Sequence, residues 1–332
     1  MKNQLNWGIL GTAKIAGKSL IPAFHASKLN NLMAVASRSI TKAQEFALSN
    51  EIPQTADSYE ALLDDKAIDA VYIPLPNSLH HPWTIAALQA GKHVLCEKPM
   101  ALNVEQARQM VSLAEESKLV LMEAYMYRYH PRMDKILGLI QKGELGELRF
   151  IHSAFTFNLT NPDNIRLAPD LGGGALMDVG CYCVDISRIL SGKEPRAVQA
   201  LYVEGATGVD LQMAGTLDFG GNLYAQFEAG FNAFSRQHCH IAGTKASLDI
   251  EMPFKSSGKR YQAILTTSDE QKYIGFKKSD EYRDMLDHFA RLVHGKDKPR
   301  YPLSNSIADM IIIDALYQSA IDNGRLVIID PL

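Results

Sequence analysis

The sequence predicts an α/β protein with an N-terminal doubly wound parallel sheet and a C-terminal α/β domain that contains a mostly antiparallel open sheet. Two observations indicate the first domain: short apolar runs alternate with helical patterns as far as about Met122, and a glycine-containing turn follows the first run. Strands that are buried on both faces and separated by helices are typical of parallel sheets. Beyond about Tyr125 the apolar runs become longer and follow one another mostly without helices, which predicts antiparallel strands.

The elements of the first domain follow from this alternation. The predicted strands are 6–10, 32–36, 70–73, 93–96 and 119–122, and the predicted helices after the first are 40–49, 58–63, 82–90 and 104–116. Asn103 is a favourable N-cap because its side-chain oxygen can accept a bond from an unpaired helical N–H. Pro22 lies about two turns into the first helix, where its missing N–H predicts a kink or a break.

The second domain is predicted from longer strands and four helices. The strands are 149–157, 196–203, 212–219, 223–231 and 236–243, and the helices are 131–142, 174–190, 279–294 and 304–322. Asn323 and Gly324 supply a stop signal for the last helix. A chain of 332 residues exceeds what one ordinary core accommodates, so we expect two domains, over 1–123 and 124–332.

Charge and composition exclude several classes of function. Hydrophobic residues make up 46% and charged residues 21%, as in ordinary globular proteins, and the formal net charge of −3 arises from 34 basic and 37 acidic residues. This balance predicts no nucleic-acid partner and no membrane surface, and no apolar run approaches the 18 residues of a membrane span. The four sparse cysteines favour reduced thiols in a cytoplasmic protein. The four cysteines lack the spacing of a zinc site, so we predict no metal.

The turn after the first strand resembles a degraded dinucleotide fingerprint. That fingerprint requires Gly-x-Gly-x-x-Gly between a buried strand and a helix, whereas this chain has one glycine and two alanines at those positions. Each alanine adds one methyl group, which leaves room for a phosphate, and the amides that open the helix still face the ligand. The turn predicts a nucleotide site formed by Gly11, Thr12, Ala13, Lys14 and Ile15, with an ordinary strand-to-helix turn as the alternative.

The end of the second strand favours NADP over NAD. An NAD site places an acidic residue there to bind the ribose hydroxyl, but this chain has Ser37, Arg38 and Ser39, followed by Lys42. A guanidinium pairs with a 2′-phosphate and stacks on adenine. We therefore expect NADP as cofactor, with NAD as the other candidate and a surface Arg and Lys as the alternative interpretation.

Two further segments carry candidate catalytic residues. Glu97 and Lys98 follow the strand at 93–96, at the edge where open α/β sheets bind their ligands. Three glycines precede the helix at 174–190, and Asp178 and Tyr182 lie four residues apart, on one face of that helix. Taken singly, each of these segments has an ordinary structural interpretation, as a loop or as a helix-face hydrogen bond.

Together these segments establish a family resemblance. The chain resembles the glucose–fructose oxidoreductase / inositol dehydrogenase (Gfo/Idh/MocA) family over essentially its whole length, in the segments "WGILGTAKIA", "ASRS", "VYIPLPNSLHHPWTIAALQAGKHVLCEKP", "EAYMYRYHP" and "LGGGALMDVGCYCVDISR". Within the family, the chain resembles the branch of NADP-dependent D-xylose (aldose) 1-dehydrogenases and trans-dihydrodiol dehydrogenase. It shares with that branch the alanine-containing turn and a tyrosine, Tyr182, where inositol dehydrogenases carry His. The resemblance implies a Rossmann domain over 1–123 and a substrate-binding and oligomerisation domain over 124–332.

The resemblance also implies catalytic roles. Lys98 would be the active-site lysine, with a cis bond to Pro99, and Asp178 and Tyr182 would face it from the second domain. A tyrosine, with an ordinary pKa near ~10, becomes a plausible base if a lysine close to it stabilises the phenolate. Asp178 would orient the substrate hydroxyl or relay its proton.

Further contacts are implied on both sides of the reaction. The family places cofactor contacts near Pro74 and Asn77, and we add His80 and Glu97 as candidates. The predicted substrate contacts are Arg128, His130, Phe155, Phe157, Asn164 and Arg166. The polar pair Arg128 and His130 favours a sugar, whereas a dihydrodiol favours an aromatic pocket, and the two phenylalanines can equally form one face of a strand.

We therefore expect an NADP-dependent oxidoreductase that moves hydride between nicotinamide and a sugar or polyol carbon, most like an aldose 1-dehydrogenase. The alternatives are a trans-dihydrodiol dehydrogenase, a ketosugar or anhydrofructose reductase and, in another class, a non-catalytic NAD(P)-binding sensor. In the family that the chain resembles, the open sheet face commonly mediates dimerisation, so we expect a homodimer or a dimer of dimers.

Overall fold

The computed structural model describes residues 4–255 and 261–330. The chain divides into two compact units: unit 1 comprises Met1–Tyr129 and Asp280–Ile307, and unit 2 comprises His130–Ser279 and Ala308–Leu332. No helix among the described residues has the length and apolar character needed to cross a membrane. The functional boundary near residue 123 stays a prediction.

The strands form two sheets, one in each unit. In chain order they are β1 (Leu5–Leu10), β2 (Asn30–Ala36), β3 (Gln54–Ala56), β4 (Ala70–Ile73), β5 (His93–Cys96), β6 (Leu121–Glu123), β7 (Leu148–Asn158), β8 (Ala197–Glu204), β9 (Asp210–Asp218), β10 (Tyr224–Gly230), β11 (Asn232–Gly243), β12 (Ser247–Glu251), β13 (Gln262–Thr266), β14 (Gln271–Gly275) and β15 (Val327–Ile328).

The sheet of unit 1 has the order β3-β2-β1-β4-β5-β6, and its described strand pairs are parallel. The order reverses direction beside β1, which is where doubly wound sheets bind ligands at the carboxyl ends of their strands. The prediction of a doubly wound parallel sheet is confirmed. The short polar strand β3 was not predicted, because three residues give no readable alternation.

The sheet of unit 2 has nine strands in the order β14-β13-β12-β11-β7-β10-β9-β8-β15. Among its described pairs, β7 and β10 run parallel and the others are antiparallel. This confirms the mostly antiparallel open sheet. The sequence analysis did not predict β12 to β15, which are short strands that lie at the two edges of the sheet.

The helices are α1 (Ile21–Ala26), α2 (Ile40–Ser49), α3 (Tyr59–Asp64), α4 (His80–Gln89), α5 (Val104–Ser117), α6 (Pro131–Gln141), α7 (Cys181–Ser191), α8 (Glu281–Val293) and α9 (Leu303–Ile321). Asn103 caps α5 as predicted, since its side chain accepts a hydrogen bond from the Gln106 backbone N–H at 3.0 Å. A π-helical turn over Ala16–Leu20 precedes α1, and Pro22 lies in the first turn of α1. Helical structure runs without interruption from residue 14 to 26, so the prediction of a break is wrong, and the distortion near Pro22 is the π-helical turn that precedes it.

The two faces of the nine-stranded sheet differ. On one face α7 follows a second π-helical turn, Leu176–Gly180, which packs so close to β10 that a Cβ on Gly180 would lie 3.2 Å from the Ala229 Cβ. Side chains alternate between the two faces along a strand. Phe150, every second residue from it along β7, and the residues paired with these on the neighbouring strands therefore lie on the face opposite α7. That face exposes large apolar side chains, namely Phe150, Leu201, Val203, Tyr224 and Tyr273.

Candidate functional site

The turn after β1 retains the geometry of a phosphate-binding turn. Gly11 has a φ of +107°, which residues with a side chain rarely adopt, and a Cβ on it would lie 2.9 Å from the Leu75 side chain. Helical structure begins at Lys14, so Thr12 and Ala13 lie between the strand end and a helix N-terminus. Backbone N–H groups at such an N-terminus bind phosphate oxygens. The residues present therefore fit a dinucleotide pyrophosphate, even though two glycines of the fingerprint are missing.

The end of β2 presents a cation and no acidic residue. Ser37 is buried and Arg38 is exposed, while the Ser39 side chain caps α2 by accepting a hydrogen bond from the Lys42 N–H at 3.4 Å. A solvent-exposed guanidinium at this edge suits a 2′-phosphate, which is negatively charged at neutral pH. The binding of a 2′-phosphate by Ser37, Arg38 and Lys42 stays a prediction.

Tyr59 lies beside both features and was not predicted from the sequence. Its hydroxyl would be 3.7 Å from a Cβ on Gly11, and its ring packs edge-on against Trp83 at 4.7 Å between centroids. Burial raises the pKa of Tyr59, and the charge of Arg38 lowers it, so Arg38 and Tyr59 are electrostatic neighbours. Nothing in the pattern of α3 distinguishes this tyrosine from an ordinary core residue.

The loop that carries Lys98 is bonded to its surroundings on both sides of the lysine. The Tyr72 hydroxyl donates a 2.5 Å hydrogen bond to Oε1 of Glu97, and Oε1 of Glu123 accepts a 2.8 Å bond from the Met100 N–H. Both donors and acceptors lie on strands of the same sheet or on the loop itself. The peptide bond from Lys98 to its following proline is cis, as the resemblance implies. The backbone around Lys98 is thus held by partners on β4 and β6.

His80 connects this loop to the loop after β4. The imidazole is fully buried, with Nδ1 2.8 Å from the Pro99 carbonyl oxygen and Nε2 2.9 Å from the Leu75 carbonyl oxygen. Burial lowers the pKa of His80 to about 4; the charge of Lys98 acts in the same direction, and the two backbone contacts oppose it. Pro74 lies next to Leu75, so one side chain fixes two loops that contain predicted cofactor contacts. The contacts of Pro74, Asn77, Glu97 and His80 with the cofactor stay predictions.

In unit 2 the three-glycine turn brings two polypeptide segments into close contact. A Cβ on Gly173 would lie 2.5 Å from the Arg166 carbonyl oxygen, and the Gly174 N–H donates to that same oxygen at 2.9 Å. Gly174 has a φ of +122°, and a Cβ there would meet Oδ1 of Asp210 at 2.1 Å. The glycines therefore allow backbone and side-chain oxygens of this chain to approach the start of the helical segment.

Asp178 and Tyr182 follow this turn on the helical segment. Nε of Arg166 donates a 2.6 Å hydrogen bond to Oδ2 of Asp178, and the Asp178 charge raises the pKa of Arg166. The Tyr182 ring lies 5.5 Å from Phe155 and 5.4 Å from Phe254, whose rings stack on each other at 5.3 Å. The same helical segment thus contains the Asp178 carboxylate, which is bonded to Arg166, and the Tyr182 phenol, which is packed between aromatic rings.

The remaining predicted substrate residues lie in different environments. The Arg166 guanidinium carbon is 5.8 Å from the ring of Phe157, while Asn164 accepts a hydrogen bond from the Arg166 N–H. Arg128 is 2% exposed and lies over the ring of Tyr125 at 4.4 Å, and His130 is 2% exposed and caps α6. The buried positions of Arg128 and His130 favour structural contacts, and their contact with substrate stays a prediction.

Three residues near the candidate sites were missed in the sequence: Tyr59 in unit 1, and Phe254 and Asp210 in unit 2. Phe254 follows the end of β12, in a segment with no periodic pattern. Asp210 is far from the helical segment in sequence, so nothing in a single sequence associates the two. Only the pairing of the strands brings them to this position.

Comparison with known proteins adds the family. Residues 5–125 match the model of the oxidoreductase family with an NAD-binding Rossmann fold, and residues 133–249 match the GFO/IDH/MocA C-terminal domain. The chain is 38% identical to the D-xylose 1-dehydrogenase (NADP(+)) 2 of Haloferax volcanii, over 98% of this chain and 99% of that relative. It is 30% identical to the trans-1,2-dihydrobenzene-1,2-diol dehydrogenase of Xenopus tropicalis, over 80% of each chain.

Solved structures agree with this assignment. A 3-ketoreductase from Actinomadura kijaniata, in complex with NADP and TDP-benzene, superposes with a TM-score of 0.91 at 28% identity, covering 96% of this chain and 98% of that one. An aldose-aldose oxidoreductase from Caulobacter crescentus gives a TM-score of 0.90 at 25% identity, covering 98% and 100%. The resemblance seen in the sequence is confirmed: this chain belongs to the Gfo/Idh/MocA family and is an NAD(P)-dependent oxidoreductase.

Proposed function

We propose that this protein is an NADP-dependent dehydrogenase that oxidises the anomeric hydroxyl of an aldose to a lactone. The observation that carries the proposal is the full-length similarity to a D-xylose 1-dehydrogenase (NADP(+)). The exposed Arg38 at the end of β2, in a position where NAD sites carry an acidic residue, supports NADP. The phenol and carboxylate of the helical segment in unit 2 support removal of a hydroxyl proton.

The cofactor side of the site is proposed from unit 1. Residues 11–15 bind the pyrophosphate through backbone N–H groups, Ser37, Arg38 and Lys42 bind the 2′-phosphate, and Pro74, Asn77, His80 and Glu97 complete the contacts. NADP, when bound, supplies the nicotinamide C4 that accepts hydride from the substrate carbon. The residues of the chain bind and orient; they do not themselves change redox state.

The proton is proposed to leave through Tyr182. Tyr182, in its phenolate form, accepts the proton of the substrate hydroxyl as the C1–H bond breaks. Lys98 is the candidate catalytic residue of unit 1. Asp178, whose carboxylate is held by Arg166 at 2.6 Å, accepts a hydrogen bond from a substrate hydroxyl and fixes the sugar orientation. Phe155 and Phe254 exclude water from the phenol.

The proposal is tested with a panel of aldoses, ketoses and polyols, each assayed with NADP and with NAD by the absorbance of reduced nicotinamide. We expect turnover of pentoses or hexoses with a free anomeric hydroxyl, and a lower KM for NADP than for NAD. Loss of turnover when the anomeric hydroxyl is blocked by a methyl group would support C1 as the reacting carbon. Turnover of a methyl glycoside at an undiminished rate would contradict it.

The aromatic surround of Tyr182 favours a second candidate, a trans-dihydrodiol dehydrogenase. Stacked Phe155 and Phe254 suit a flat apolar ring, and the chain is also similar to diol dehydrogenases. Both candidates need the same base and cofactor, so the substrate panel decides between them when it includes trans-1,2-dihydrobenzene-1,2-diol. A higher kcat/KM for this diol than for any aldose would replace the first candidate with the second.

We further propose a cytoplasmic homodimer or dimer of dimers. Phe150 and Leu201 are 55% and 62% exposed on the open face of the nine-stranded sheet, and exposed apolar area of this kind marks association surfaces. None of the four cysteines forms a disulfide, which is typical of the cytoplasm. Sedimentation of Phe150→Glu is expected to show a smaller species than wild type. Leu48→Glu, at an apolar side chain 85% exposed in unit 1, is the control and should sediment as wild type does.

A further inference from the structure

We propose that Asp210 and Tyr317 are positioning residues for Asp178 and Tyr182. They cap the start of the helical segment that contains Asp178 and Tyr182, although they belong to other elements. Asp210 is the first residue of β9, and Tyr317 lies in α9, so both are remote in sequence from residues 176–191. The inference rests on the proposed function, in which Asp178 and Tyr182 act on the substrate. It concerns how their position is fixed.

The helical segment has no cap of its own. Its N-cap residue is Ala175, which cannot accept a hydrogen bond through its side chain, although the first N–H groups of a helix need acceptors. Oδ2 of Asp210 accepts a 2.7 Å bond from the Leu176 N–H. The backbone of Ala175 also lowers the pKa of Asp210, and the backbone of Met177 lowers that of Tyr317, so both side chains lie close to the start of the helix. The first N–H group of the helical segment is therefore bonded by a side chain from another element.

The two capping side chains also bond to each other. The Tyr317 hydroxyl donates a 2.9 Å hydrogen bond to Oδ1 of Asp210, so both carboxylate oxygens are engaged. Asp210 is only 3% exposed. A buried carboxylate at the positive end of a helix is held both by directed bonds and by the helix dipole. The arrangement fixes the start of the helix relative to β9.

Gly174 makes this approach possible. A Cβ there would lie 2.1 Å from Oδ1 of Asp210 and 2.9 Å from the Tyr317 hydroxyl, so a side chain would displace the cap. The third glycine of the "LGGGALMD" segment is thus explained by a carboxylate of the same chain. This is the observation that connects the cap to the residues which the sequence marked as catalytic.

The cap contains a group that titrates in weakly acidic solution. Burial raises the pKa of Asp210 to about 6, opposed by the bonds from Leu176, Tyr317 and Ala175. Tyr202, on the neighbouring strand β8, is a further titratable group that interacts with Asp210. Protonation removes the charge and one acceptor site from the cap, so turnover is expected to fall as the pH decreases through about 6.

The test compares Asp210→Asn and Tyr317→Phe with Asp218→Asn. Asp218 ends the same strand and accepts a 2.8 Å bond from the Gly220 N–H, so it is a matched carboxylate cap away from the helical segment. We expect Asp210→Asn to lower kcat on the order of 10²-fold, with the KM for NADP unchanged and the decline of kcat near pH 6 abolished. In Tyr317→Phe that decline moves to higher pH, because the carboxylate loses a donor. Asp218→Asn keeps the wild-type kcat and pH profile.

A second measurement needs no substrate. Hydrogen exchange of the peptide covering residues 172–182 is expected to be faster in Asp210→Asn than in wild type and Asp218→Asn. Unchanged exchange there, or a wild-type kcat and pH profile in folded Asp210→Asn, would overturn the positioning role. Failure of the wild-type protein to oxidise any substrate would instead refute the proposed function and leave the exchange result to decide the inference.

Discussion

The two units hold their candidate catalytic side chains in different ways. In unit 1 the loop with Lys98 is irregular, and three side chains from β4, α4 and β6 bond it directly: Tyr72, His80 and Glu123. In unit 2 Tyr182 belongs to a regular helical segment, whose internal hydrogen bonds fix its geometry once its start is fixed by Asp210. A loop needs several bonds because each residue must be restrained separately. A helix needs one good restraint at its end, and damage there moves every residue that follows.

The difference predicts where substitutions have the largest effects. Removing one bond from the Lys98 loop leaves the other two in place. Removing the cap of the helical segment removes a restraint for which the described structure offers no close substitute. Four substitutions distinguish the effect of losing a candidate functional group from the effect of losing a contact that positions it. They follow from the largest expected effect to the smallest.

Tyr182→Phe removes the hydroxyl oxygen that we propose as the base and leaves the packing of the ring in place. The ring still packs against Phe155 and Phe254, so the fold should be unchanged. Loss of a general base costs roughly 10²- to 10⁴-fold in rate, and we expect kcat to fall by that much while NADPH binding, measured by fluorescence titration, stays as in wild type. Tyr202→Phe, on β8, is the control. Turnover of Tyr182→Phe at the control's rate would remove Tyr182 from the mechanism.

Gly174→Ala disturbs the start of the helical segment in unit 2 and leaves the side chains of Asp178 and Tyr182 unchanged. The φ of +122° and the 2.1 Å approach to Asp210 Oδ1 make the substitution both strained and overpacked, so we expect the free energy of unfolding to fall by about 3 kcal/mol or more, together with kcat. Gly192→Ala is the matched control, because its φ is +63° but no atom lies within 4 Å of the added Cβ. Chemical denaturation that shows equal losses for the two variants would mean that the contact with Asp210 is unimportant.

His80→Gln removes one bond of the Lys98 loop and tests its electrostatics. The folded pKa of about 4 is below the ordinary value of 6.5, so as the pH falls from 6.5 to 4 the unfolded chain binds a proton that the folded protein does not. Wild-type stability should therefore decrease over this interval by up to about 3 kcal/mol through this group.

The measurement for His80→Gln is the free energy of unfolding at several pH values. The variant's slope between pH 6.5 and 4 should be flatter than that of wild type. His81→Gln, whose ring contacts Gln109 at the surface, should keep the wild-type slope. Equal slopes for wild type and His80→Gln would show that His80 does not stay neutral in the folded protein.

Arg38→Gln tests the proposed contact of this arginine with the 2′-phosphate. A charge-assisted bond to a phosphate contributes about 1.5–3 kcal/mol, so we expect the Kd for NADPH to rise roughly 10- to 100-fold and the Kd for NADH to stay the same. Arg108→Gln, at an exposed arginine of α5, should change neither value. Equal weakening of both nucleotides by Arg38→Gln would mean that this arginine contacts a part common to the two cofactors.

Much of unit 1 could be predicted from the sequence, because its determinants are local. Buried apolar runs, the N-cap Asn103 and the helix distortion near Pro22 depend on a few neighbouring residues. The order of the sheet places Gly11, Arg38 and Lys98 at the carboxyl ends of strands. In unit 2 the longer strands were predicted, and the short edge strands were not, since five residues of mixed polarity read equally well as loop.

The arrangement around Tyr182 was predictable only in part. Asp178, Tyr182, Phe155 and Arg166 were named from the sequence, but the 2.6 Å ion pair between Arg166 and Asp178 was not, because it depends on how a loop folds back on a helix. The contribution of Asp210 depends on strand pairing, which no local pattern contains. Long-range contacts that satisfy buried polar groups are the part of a site that a single sequence conceals.

The π-helical turns have a consequence for any attempt to redesign this enzyme. Each of them, Ala16–Leu20 behind the nucleotide turn and Leu176–Gly180 before α7, holds one residue more per hydrogen-bonded ring than an α-helix does. Deleting one residue from either segment would let it close as an α-helix and rotate the preceding residues by about 100° relative to those that follow. Substitution libraries can therefore vary residue types in these two segments, but insertions and deletions there should be excluded. At these positions the number of residues determines the direction in which side chains such as Asp178 point.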